Sequence, residues 1–147
     1  MYHGIPIVIN RGMMIQQFVR GLTIVFASGA LGGLVNSFAV WLFGMLGITA
    51  AAGVKIAPAL TSEWLYPRIV WGGLWGFLFL LPFLRHSLWL RGFIYSLAPT
   101  LAQLFIVFPL QAHQGSLGLQ LGILTPIFVL FFNFIWGITT AFWLSFI

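Results

Sequence analysis

The sequence predicts an all-α, polytopic membrane protein: a bundle of four transmembrane helices with a short amphipathic or re-entrant helix between spans 1 and 2. Three observations predict it. Charged residues make up 5% of the 147, with Glu63 the single acid, against about 25% in soluble domains. Mean hydropathy is +1.09, so lipid is the natural solvent. Four apolar stretches, roughly 22–47, 65–84, 93–110 and 121–146, meet or approach the ~20 residues a helix needs to cross the hydrocarbon core. None alternates in the two-residue pattern of a membrane β-strand. The whole chain, 1–147, reads as one integral membrane domain.

Ahead of the first span, 1–20 reads as a cytoplasmic leader carrying Arg11 and Arg20. Val25-Phe26-Ala27 has the small-residue pattern of a signal cleavage site. The apolar run before it is short and hydrophobicity continues past it, so the reading favours a retained span. The following 48–64 connection, ITAAAGVKIAPALTSEW, is too apolar for a plain solvated loop. Pro58 suits the first turn of a short helix, and Thr61-Ser62-Glu63 suits the cap of the second span. Pro67 is expected in that span's first turn or at a kink.

Orientation follows from the basic residues. Arg11 and Arg20 precede span 1, and Arg85 and Arg91 lie in the connection between spans 2 and 3. Alternating spans put all four on one side, with Lys55 balanced by Glu63 on the other. The positive-inside rule makes the first side cytoplasmic, which predicts a bacterial-type inner membrane with both termini inside. Trp64 and Tyr66 are expected at the outer interface; Trp89, Tyr95 and Trp143 at the inner one.

Composition also narrows function. With no cysteine, disulfide shuttling and thiolate metal sites are excluded. The basic residues are scattered singly, which argues against nucleic acid. His3, His86 and His113 fall on different sides of the membrane and cannot converge on one metal, so neither metal nor cofactor is expected. Four-helix multidrug exporters require a glutamate inside the first span, and that span has none.

What polarity remains is concentrated. Asn36, Gln103 and Asn133 fall near the centres of spans 1, 3 and 4, where polar side chains turn to the bundle interior. With Thr100, Trp75 and Trp136 they form a candidate ligand-binding or interhelical polar cluster, suited to a small neutral or zwitterionic ligand. Gly29, Gly32, Gly33, Gly72, Gly73, Gly76 and Gly137 form small-residue faces for helix packing, and bare carbonyls at Gly72 and Gly76 are available as acceptors. Glu63, Arg68 and Lys55 are the candidate outer-interface ion pair. No catalytic constellation is visible. The function expected first is therefore non-catalytic: an accessory, assembly or scaffold protein acting through intramembrane helix contacts. The alternative is a small oligomeric transporter, or a lipid- or solute-binding protein, built on the carboxamide cluster. Expected partners are membrane lipids and either further copies of the chain or a larger membrane protein.

Overall fold

The computed structural model describes residues 11–147, and among them every regular element is helical. The first half of the expected leader lies outside the described residues. The second half is not a separate segment, because helix α1 already begins at Arg11 and runs to Met45. Met13, Met14, Gln16 and Gln17 are strong helix formers, and nothing before Gly21 interrupts them.

The 48–64 connection departs from expectation. Helix α2 is only Ile48–Ala51, and the chain then runs without helix through 54–61. Gly47 and Gly53 both adopt φ of 73°, a left-handed conformation that stops a helix on either side. Pro58 disfavours helical backbone at Ala57 and lies outside any helix. The non-helical run is nevertheless fixed. The Lys55 amide donates to Leu121 O at 2.8 Å, Thr49 Oγ1 donates to Ile56 O at 2.7 Å, and Val54 is 1% exposed. A Cβ at Gly122 would collide with Gly53 O. Together 53–58 and 118–122 form a lid over one end of the bundle.

Helix α3, Ser62–Gly76, starts where Thr61 accepts the Trp64 amide at 3.3 Å, with Glu63 in its first turn, the favourable end for a carboxylate. It tightens into a 3₁₀ segment, Phe77–Leu80, and stops because Pro82 forces Leu81 into extended backbone, ψ 134°. Pro67 lies in the second turn rather than the first. Helix α4, Leu88–Ala102, continues as a π-helix over Gln103–Gln111. The wider turn gives room to Pro109, which lacks an amide and crowds the carbonyl four residues back. Helix α5, Thr125–Leu144, opens with proline in its first turn, a position that needs no donor.

Among the described residues, three helical stretches are long and apolar enough to cross a membrane: Arg11–Met45, Leu88–Gln111 and Thr125–Leu144. The combined Ser62–Leu80 stretch is not among them.

Neighbours along the chain run antiparallel. Gly29 of α1 meets Gly72 and Gly76 of α3, while Gly33 meets Arg68 and Ile69. A Cβ at Gly72 would lie 2.7 Å from Gly29 O and 2.8 Å from Gly33 Cα, so the two backbones are in direct contact. On the other side of α1, Gly32 meets Thr140 and Trp136 of α5. Gly73 receives the Phe26 ring, and Gly137 of α5 abuts Gly92 of α4. The lateral order is α3, α1, α5, α4, with α1 and α5 central. Between the outer helices α3 and α4 a cleft remains.

Beneath the cleft, the end opposite the lid is closed by a polar–aromatic knot. The Phe79 ring stands edge-on to Tyr95 at 4.9 Å and to Trp136 at 5.9 Å. Arg91 Nη2 donates to Phe79 O at 2.6 Å, and Tyr95 Oη donates to Leu81 O and Phe83 O. Tyr95 is thus a buried clasp, not an interfacial anchor, whereas Tyr66, Trp89 and Trp143 are exposed.

Candidate functional site

Arg68 organises the interior. Its Nε donates to Ser37 Oγ at 2.9 Å and its Nη2 to Asn36 Oδ1 at 2.7 Å. The guanidinium carbon lies 4.7 Å from the centre of the Trp64 ring, a stacked cation–π contact. Asn36 is itself pinned, since its Nδ2 donates to Phe132 O at 2.6 Å. Ser37 passes its own hydroxyl proton to Gly33 O at 2.7 Å. Among the described residues Arg68 Nη1 has no hydrogen-bond partner.

The expected pairing of Arg68 with Glu63 is therefore corrected. Five residues apart on a helix, the two side chains point to different faces; Trp64, four residues before Arg68, shares its face. Glu63 is exposed and Lys55 is exposed, and neither is a partner of Arg68. The three carboxamides also divide. Asn133 Nδ2 donates to Gln103 Oε1 at 3.3 Å, while Asn36 belongs to the arginine network. All three turn inward.

The other predicted residues take distinct places. Trp136 Nε1 donates to two carbonyls at once, Gly29 O at 3.1 Å and Gly72 O at 3.2 Å, which ties α5 across the α1–α3 seam. Thr100 bonds back to Ser96 O in its own helix at 2.7 Å and lines neither of the cavities. Trp75 lines the cleft wall.

Two cavities meet at this network. One, of about 320 Å³, lies under the lid and is lined by Lys55, Pro58, Trp64, Val129 and Phe132 together with Asn36, Arg68 and Gln103. The other, of about 540 Å³, is the cleft between α3 and α4. Trp71, Trp75, Pro99, Ile106 and Val107 form its walls, and Asn36, Arg68, Gln103, Asn133 and Trp136 its polar inner surface. Asn36, Arg68 and Gln103 border both. Both volumes fall within the ~300–1,000 Å³ range of small-molecule sites. The outward ends of the cleft walls, Trp71 and Ile106, are 60% and 50% exposed, so the cleft opens sideways.

No family model, curated protein or solved structure matches this chain. The site stands on its own geometry.

Sequence reasoning found the carboxamides, the glycines and Trp136, and missed the Arg68–Asn36–Ser37 network. A signal for it was present. Arg68, Gly72 and Gly76 recur every four residues and therefore share one helix face. Once that glycine face packs on α1, Arg68 must reach toward α1 as well. The cluster expected from Asn36, Gln103, Asn133, Thr100 and the two indoles thus also contains a cation, Arg68.

Proposed function

We propose that this chain is a four-crossing integral membrane protein that binds a lipid or small amphiphile in the cleft between α3 and α4, without catalysis. The observation that carries the reading is the cleft itself: apolar walls, a lateral opening and an amide–guanidinium inner surface. Mostly apolar lining with a few convergent polar groups is the usual build of a ligand site.

The fourth crossing is α3 with its 3₁₀ extension. Fifteen α-helical and four 3₁₀ residues give about 30 Å at ~1.5 and ~2.0 Å per residue, the thickness of the hydrocarbon core. Alternation then groups Arg11, Arg20, Arg85 and Arg91 at one face, which the positive-inside rule makes cytoplasmic, as in a bacterial-type inner membrane. The glycine faces that motivated a scaffold role are used within the chain: Gly29, Gly33, Gly72 and Gly76 meet one another. That leaves less for an external partner and favours the ligand-binding alternative.

Native mass spectrometry after gentle extraction tests this. The wild-type chain is expected to retain a lipid-sized adduct. Ala102→Trp, which fills the cleft from α4, is expected to lose it while unfolding at a similar temperature. Absence of any adduct, or equal retention by Ala102→Trp, contradicts the reading and returns the scaffold role to first place.

A further inference from the structure

Resting on that ligand-binding reading, we infer that the ligand is an anionic amphiphile, its carboxylate or phosphate headgroup held at Arg68 and its apolar tail in the α3–α4 cleft. Three observations converge. Among the described residues Arg68 has neutral hydrogen-bond partners only, Asn36 Oδ1 and Ser37 Oγ, which leaves Nη1 uncommitted, and Arg68 lines both cavities. The lid cavity adds Lys55 to its lining, and Glu63, the chain's single acidic side chain, lines neither cavity. The positive charge is thus uncompensated where the cavities meet. The third observation is asymmetry between the cavities. The lid cavity gathers both cations, whereas the cleft is walled by Trp71, Trp75, Ile106 and Val107 and opens sideways.

Arg68 is half-buried, and a cation drawn into an apolar interior among dipoles but no counter-charge is expensive. An incoming anion supplies that counter-charge, and guanidinium–oxyanion bonds are among the strongest that side chains make. The amide of Gln103 is placed to donate to the same headgroup, because its Oε1 already accepts from Asn133 and its amino group has no partner among the described residues. A soluble anion would satisfy the charge but would leave the apolar cleft walls unused.

The test titrates the full chain, in an uncharged detergent, with four probes read by native mass spectrometry. Stearate and stearoyl lysophosphatidate carry the tail with a carboxylate or a phosphate. Stearyl alcohol carries the tail without charge, and inorganic phosphate carries charge without a tail. At least one anionic amphiphile is expected to bind ten-fold or more tightly than stearyl alcohol, and the preferred one identifies the headgroup. Gln103→Glu retains the oxygen that accepts from Asn133 and places a carboxylate in the cavity lining that Arg68 shares. It should weaken the anionic amphiphile at least ten-fold and leave stearyl alcohol unchanged. Arg68→Gln should do the same, and the exposed Lys55→Gln should weaken it a few-fold; if Arg68→Gln fails to fold, the other two variants decide. Equal binding of alcohol and anions, unaffected by Gln103→Glu, overturns the anionic headgroup while leaving the ligand site intact. Phosphate alone binding as tightly as the amphiphiles overturns the tail. No binding by any probe overturns both this inference and the reading beneath it.

Discussion

Replacing Gly72 with valine is expected to destabilise the protein by about 3 kcal/mol or more, the upper range for overpacking a tight contact. A Cβ there meets only the backbone of α1: Gly29 O at 2.7 Å, Gly33 Cα at 2.8 Å and Gly33 N at 3.1 Å. Backbone cannot rotate aside as a side chain would, so α3 must move off α1. That movement also breaks the two-carbonyl bond of Trp136, which needs Gly29 O and Gly72 O together. The loss therefore spreads to α5. Equilibrium unfolding with a denaturing detergent measures it. Gly21→Val is the control, since beyond its chain neighbours and its own helix's backbone nothing lies within 4 Å of a Cβ at Gly21, and its effect should stay within about 0.5 kcal/mol.

Asn36→Leu is the second large effect, at about 3 kcal/mol, the upper range for a hydrogen bond to a charged group. The amide makes two short bonds, one from Arg68 Nη2 at 2.7 Å and one to Phe132 O at 2.6 Å. Leucine leaves the guanidinium with Ser37 alone among polar groups. By contrast, Gln103→Leu and Asn133→Leu break a single 3.3 Å bond and should each destabilise by about 1 kcal/mol, the range of interhelical hydrogen bonds in membranes. The same unfolding assay ranks the three. Adding Arg68→Met to Asn36→Leu removes the stranded charge and should recover part of the loss. If the three leucine variants are equally destabilised, the arginine network is not the organising element.

The helical class and the inward face of each polar residue were legible because apolar runs and helical spacing are properties of single segments. Asn36, Gln103 and Asn133 had to turn inward whatever their neighbours. Pairing between helices was less legible, since spacing names a face without naming what it meets. Arg68 illustrates both sides: its face was readable from Gly72 and Gly76, but Asn36 and Ser37 as partners depend on the register of α1 against α3. The loop after α1 failed for a different reason. Its apolar composition and Pro58 suggested a longer helix, yet the left-handed glycines at 47 and 53 confine it to four residues and Pro58 lies outside it. The π-helical turn at Gln103–Gln111 had one readable cause, Pro109, but a proline kinks an ordinary helix as readily.

The account depends most on α3 crossing the bilayer, because only then does Arg68 hold an uncompensated charge inside it. With no native cysteine, single cysteines at Ser62, Ser87, Ser116 and Ser145 can be labelled with an impermeant maleimide in sealed, right-side-out vesicles. Labelling at 62 and 116 with protection at 87 and 145 is the predicted result. Ser62 and Ser87 reacting from the same face would contradict it, leaving α3 at the surface and the cleft without its membrane setting.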